Sequence, residues 1–413
     1  MHILCLSNGH GEDMIGACIL QSWQQQNLDL QAVALPLVGE GVVYQQSHIP
    51  IIGSVKNMPS GGFINMDSKE LLKDVGSGLF SLTLQQLTAI KSWSKQGGKI
   101  LAVGDIVPLL MAWWSGVDYA FVGTAKSEYY LRDEAGWLPS KNWWSYGLER
   151  MTQCIYFPWE RWLMSRTRCR GIFPRDRLTS LTLQRFKIPA VDLGNPMMDG
   201  LHPSTNYEIN ESARLTVLLL PGSRAPEVYR NWEQLLAALD RVMGEYRRVD
   251  LQILAAIAAN LDCQPFVQSL LTKGWQLQTT HINLSDAAVH LTKGPVQFSI
   301  SQRDFADYLH RAHVAIAMAG TATEQFAGLG KPVIPIPGQG PQFTRAFAEA
   351  QTRLLGSSVT LITNPTQAGT TLKTILDDPD RLYLISQNGR NRLGKPGAAH
   401  RIAHYLETIW GTR

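Results

Sequence analysis

A chain of 413 residues exceeds what one ordinary core serves and fits two domains of roughly 200 residues each. It is 45% hydrophobic and 17% charged, with 38 basic residues against 34 acidic ones, a globular composition that excludes wholesale nucleic-acid binding. Five scattered cysteines (Cys5, Cys18, Cys154, Cys169, Cys263) form no CxxC pair and read as reduced thiols of a cytosolic protein, with no disulfide framework and no zinc site.

The opening, MHILCLSNGHGED, meets a glycine turn too early for a signal peptide. The longest apolar run, IVPLLMAWWSGV, falls short of the ~18 residues a spanning helix needs, so the expectation is a cytoplasmic protein that does not cross a membrane. The pattern predicts a strand at 2–7, a glycine turn, and a helix from about 13 to 26. Apolar runs at 32–38 and 49–52, a glycine-rich loop at 60–63 and a helix across 79–96 follow. Strands are expected at 99–103, 119–122, 171–174 and 190–193. The polar, aperiodic stretch 201–213 reads as a linker. Beyond it strands are expected at 216–220, 251–257, 314–319, 333–336 and 359–362, and a last helix at 398–410. Alternation of this kind means parallel, doubly wound α/β sheets.

Two segments carry the most chemistry, LLLPGSRAPEVYRNW (218–232) and AIAMAGTATEQFAGLGKPVIPIPGQGPQFTRAFAEA (315–350). Each reads as a buried strand, a glycine turn and a helix. In a parallel sheet both turns lie where strand C-termini meet helix N-termini, an edge whose free amides suit a diphosphate. Gly222 permits close backbone approach, Ser223 is placed to cap the helix, and Arg224 to reach an anion. Gly320, Thr321, Ala322 and Thr323 supply hydroxyls and amides, and Glu324 or Gln325 would reach a ribose. A capping box between Thr321 and Glu324 explains the same residues without a ligand. SNGHGED (7–13) is a third such turn, with Gly9, Gly11 and Asp13.

LLLPGSR followed by Glu227, the GTAT turn with LGKPVIPIP behind it, and GNPMMDGL (194–201) resemble lipid-A-disaccharide synthase. The C-terminal half is also similar to the transferase that adds N-acetylglucosamine to the lipid-linked peptidoglycan precursor. The likeness is strongest over 171–232 and 314–350 and faint over 40–100 and 125–165, as for a distant relative. It implies a GT-B glycosyltransferase of two Rossmann-like domains facing across a cleft. The acceptor domain would be 1–200 and the nucleotide-sugar domain 214–395, with the C-terminal helix of 396–413 packing back on the first. It implies an inverting enzyme with a nucleotide-sugar donor, UDP above all, and with neither metal nor cofactor. Arg224 falls on an arginine that meets the diphosphate, Asp105 on an essential aspartate, and Asp13 on an acid after the first turn. Gln342 falls on a glutamine that contacts the donor sugar, and Gln339 joins it in the same loop. Gln325 stands where the synthase has glutamate, and His10 where it has a small residue. The catalytic base therefore lies between Asp105 and His10, with Asp105 favoured.

Trp113, Trp114, Trp137, Trp143, Trp144, Trp159 and Trp162 fall close together, and Arg161, Arg166, Arg168, Arg170, Arg175, Arg177 and Arg185 follow. Interfacial aromatics beside cations suit a headgroup surface, so a lipid acceptor and a peripheral membrane face across 113–187 are expected. An aromatic core would give the same composition. Two other readings stay open: a nucleotide-sugar 2-epimerase of the same fold, and a non-catalytic lipid- or glycan-binding relative.

Overall fold

The computed structural model describes residues 1–55, 79–139, 147–203, 214–278, 288–340 and 342–411. The glycine-rich loop at 60–63, Trp143, Trp144 and most of the expected linker lie outside them. The chain divides into two compact units, Met1–Asp199 with Gly394–Arg413, and Gly200–Leu393.

Unit 1 runs β1 (His2–Ser7), α1 (His10–Gln26), β2 (Gln31–Pro36), α2 (Val42–Gln46), α3 (Leu79–Ser94), β3 (Lys99–Gly104) and α4 (Ile106–Ser115). It continues with β4 (Tyr119–Gly123), β5 (Arg132–Asp133), β6 (Gly136–Trp137), α5 (Gly147–Thr152), α6 (Pro158–Met164), β7 (Cys169–Pro174) and α7 (Arg177–Arg185). The main sheet, β2-β1-β3-β4-β7, is parallel throughout. β1 is buried on both faces, Leu4 and Leu6 in one core cluster and Ile3 and Cys5 in another. That is why it reads as a continuous apolar run rather than an alternating one.

Unit 2 runs β8 (Arg214–Leu220), α8 (Glu227–Glu245), β9 (Asp250–Ala256), α9 (Gln264–Thr272), β10 (Gln276–Leu277), β11 (Val289–Lys293) and β12 (Val296–Ser301). Then come α10 (Phe305–Arg311), β13 (Val314–Ala317), α11 (Thr321–Gly328), β14 (Val333–Pro335), α12 (Arg345–Leu355), α13 (Ala368–Leu376) and α14 (Pro379–Leu393). The sheet order is β10-β11-β12-β9-β8-β13-β14. Five strands are parallel, and β11 and β10 add antiparallel at one end. The final helix α15 (Ala398–Trp410) belongs to unit 1. It packs on α1, with Trp23 and Trp410 stacked at 6.0 Å and Trp23 Nε1 donating to Glu407 over 2.6 Å. The Asp199 carboxylate caps it, accepting the amides of Gly397 at 2.5 Å and Ala399 at 2.7 Å.

Several expectations change. α1 starts at His10 rather than near 13. The runs at 49–52, 190–193 and 359–362 are single bridges, not strands. The last lies against β14, where Pro335 has no N–H to extend a ladder. The β11–β12 hairpin was not anticipated, although Val289, Leu291, Phe298 and Ile300 alternate around Gly294-Pro295.

Candidate active site

In unit 2, β8 and β13 are neighbours in parallel register, with Leu220 opposite Ala317. Their glycine turns therefore leave the same edge side by side. Gly222 has φ +102°, and a Cβ there would stand 3.1 Å from the carbonyl oxygen of Met318. A side chain at 222 would push the turns apart. α8 does not begin within the turn. It starts at Glu227, and Ser223 caps nothing. Pro226 disfavours helical backbone at Ala225, which delays the helix past the proline. The amides of Gly222, Ser223, Arg224 and Ala225 are consequently loop amides rather than helical ones, and none donates a hydrogen bond among the described residues.

The second turn differs. α11 starts directly after Gly320, which occupies the capping position without a side chain, so no capping box forms with Thr321. Gly320, Thr321, Ala322 and Thr323 donate no backbone hydrogen bond among the described residues. Thr323 is buried, its hydroxyl donating to the Ala319 carbonyl at 2.6 Å, whereas Thr321 is exposed. Gln325 is buried and Glu324 half-buried. Arg224 is exposed at the first turn and takes part in no ion pair among the described residues.

Glu227 does something that its place in the motif did not reveal. It is buried, and its carboxylate accepts the amides of Gln342 (3.1 Å) and Phe343 (3.0 Å), tying the loop after β14 to the start of α8. Gly340 lies so close to this carboxylate that a Cβ would overlap it. The brace leaves the Gln339 and Gln342 side chains exposed beside the two turns.

In unit 1 the corresponding edge gathers acids. Asp105 caps α4, accepting the Val107 amide and the Asn8 side-chain amide, each at 2.8 Å. Gly104 has φ +134° and no room for a Cβ beside Asn8, which is how Asn8 reaches Asp105. Burial pushes the Asp105 carboxyl above its ordinary pKa, opposed by these two bonds and by the charge of Lys126. Glu12 stands near it and accepts the Thr124 hydroxyl at 3.1 Å. Its pKa is also raised, by burial and, more weakly, by the charge of Asp105. Glu12 was missed in the sequence, where Asp13 drew attention. Asp13 is turned inward, accepting the Ser7 hydroxyl at 2.6 Å in a chain that continues to Tyr44, and burial pushes its pKa up to about 7. His10 is exposed at the first position of α1, without a hydrogen-bond partner among the described residues, after Gly9 and before the open Gly11.

Unit 1 also carries an aromatic, cationic surface. Trp114, Trp159 and Trp162 are exposed. The Arg166 guanidinium lies 4.3 Å from the Trp162 ring, Arg161 3.8 Å from Phe186, and Lys91 5.1 Å from Trp114. Among the described residues no helix is long and apolar enough to cross a membrane, and no group of three or more His, Cys, Asp or Glu side chains is placed to hold a metal ion.

Solved structures decide the architecture. The UDP-GlcNAc 2-epimerase from Neisseria meningitidis bound to UDP-GlcNAc matches with a TM-score of 0.53 at 15% identity, over 99% of this chain and 100% of that one. Acinetobacter baumannii MurG gives 0.55 at 14% identity, over 99% of each chain. The glycotransferase of kitacinnamycin gives 0.57 at 13% identity, over 99% and 98%. The fold is GT-B. No family model and no curated protein matches the sequence. Likeness at this identity speaks to the GT-B fold alone, and the site must carry the chemistry.

Proposed function

We propose that this GT-B chain is an inverting, metal-independent glycosyltransferase, distantly related to lipid-A-disaccharide synthase. It would move a hexose or N-acetylhexosamine from UDP to a hydroxyl of a lipid-type acceptor. The observation that carries the donor half is the pair of abutting turns in unit 2, whose bare amides at 222–225 and 320–323 share one edge with Arg224. Such an edge stabilises the charge that grows on a departing diphosphate. Solved neighbours hold UDP-GlcNAc or are named as a glycotransferase, which accords with a UDP-sugar donor.

Asp105 is the proposed base. Its two accepted hydrogen bonds fix the carboxylate, and its raised pKa makes it a better proton acceptor for an attacking hydroxyl. The exposed tryptophans with their arginines support a lipid acceptor and a peripheral membrane face. Purified protein with UDP-sugars and an extracted lipid fraction should yield a glycolipid and UDP. No UDP release with any donor or lipid would refute the reading.

One observation favours a second reading. Asp105 and Glu12, with His10 on the same turn, give the several acids and a histidine that a nucleotide-sugar 2-epimerase needs. Incubation with UDP-N-acetylglucosamine alone separates the two, because only an epimerase forms product without acceptor.

A further inference from the structure

A doubly wound sheet normally buries apolar side chains on both faces. Unit 2 breaks this rule beneath α10. On β12, Phe298 and Ile300 enter the main core, while Gln297, Ser299 and Ser301 alternate with them onto the other face. Gln252 on β9 pairs with Gln297, and His290 on β11 with Ser299, so the polar positions line up across three strands. α10 covers them with polar groups of its own. A cavity of about 300 Å³ remains between sheet and helix, bounded by these side chains and by Asp304, Asp307, Tyr308 and Arg311.

Several of the groups facing this cavity are held in place. His290 Nδ1 and the Ser299 hydroxyl lie 2.9 Å apart. Arg311 donates to Gln252 Oε1 at 3.2 Å and Arg214 to Gln297 Oε1 at 3.3 Å, which fixes both amides by their oxygens. The Gln252 and Gln297 side chains line the cavity, and the Nε2 of neither has an acceptor among the described residues. Both amides therefore keep N–H groups to offer to whatever occupies the cavity.

We propose that this cavity is a second ligand site, for a neutral, hydroxyl-rich ring such as a sugar, separate from the nucleotide edge at β8 and β13. Its chemistry selects the class. Fixed amide donors line the same cavity as the Asp304 carboxylate, which accepts, and a sugar's vicinal hydroxyls do both at once. Two carboxylates against one guanidinium repel a phosphate or nucleotide. Every lining residue but Ala288 carries a polar group, which disfavours a purely hydrophobic ligand. The volume lies at the lower end of small-molecule sites, about 300–1,000 Å³, as befits one ring.

The test uses the full chain and saturation-transfer NMR with free glucose, galactose, mannose and N-acetylglucosamine, and with a short oligosaccharide of each to distinguish a free sugar from a glycan end. UDP is present in excess. At least one probe should show saturable binding that UDP does not displace. Gln297→Ala and Asp304→Asn should each weaken it about ten-fold, the worth of one or two hydrogen bonds, with binding of UDP unchanged. No saturable binding of any probe, equal affinity in Gln297→Ala, or displacement by UDP would each overturn the proposal. UDP binding is read separately, so its failure counts against the nucleotide site and leaves this result standing.

Discussion

Asp105 has two duties that a single substitution can separate. Its carboxylate caps α4 through the Val107 amide, and in the proposed mechanism it takes a proton. Asparagine caps as well as aspartate but cannot act as the base. Asp105→Asn should therefore keep its melting temperature and lose at least about 100-fold in turnover, measured by UDP release. Near-normal turnover would remove Asp105 from the chemistry. Arg224 is exposed, so Arg224→Ala should leave stability unchanged and weaken UDP binding by about ten-fold or more in calorimetry. Asp13 makes a prediction about pH instead. Its pKa is raised to about 7 from an ordinary 3.8, so the native state holds a proton that the unfolded chain releases. The stabilisation is complete below the unfolded value and is lost as pH rises through about 7. Asp13→Asn should flatten that decline, its melting curve gaining on the parent between pH 4 and 8; parallel curves would contradict it.

At the scale of elements, the Glu227 brace joins the start of α8 to the loop carrying Gln339 and Gln342. Glu227→Ala would leave two amides without acceptors, at a cost of about 1–3 kcal/mol, and should also loosen nucleotide binding. A stability loss with unchanged UDP affinity would show that the loop stays out of the donor site. Legibility in the sequence follows the same line between local and distant causes. β1, β3 and β8 could be read because burial on both faces leaves an apolar run in the chain itself. The glycine turns could be read because adjacent parallel strands place them on one edge. Ser223 was misread as a cap because Pro226, three residues on, governs where the helix starts. Glu12 and Asp13 are neighbours in sequence, and only the packing of α1 against Ser7, Tyr44 and Thr124 shows which is buried and which stands near Asp105. Glu227 was invisible for a related reason, its partners lying more than a hundred residues downstream.

At the scale of the molecule, unit 1 is made from both ends of the chain, and α15 completes it through Trp410, Glu407 and the cap from Asp199. Deleting residues 397–413 would uncover Trp23 and the apolar side of α1, a loss of several kcal/mol by area. The truncated protein should lose the cooperative melting of unit 1 while unit 2 still gains thermal stability from UDP. Loss of the UDP response as well would mean that the units do not fold independently.

Chain order gives that arrangement a consequence during synthesis. Most of the 200–393 segment emerges from a ribosome ahead of α15, so the later half of the protein can begin to mature while the earlier half still waits for its lid. Until α15 has emerged and docked, the nascent N-terminal portion must carry an uncovered tryptophan groove, an obvious place for a chaperone to hold on.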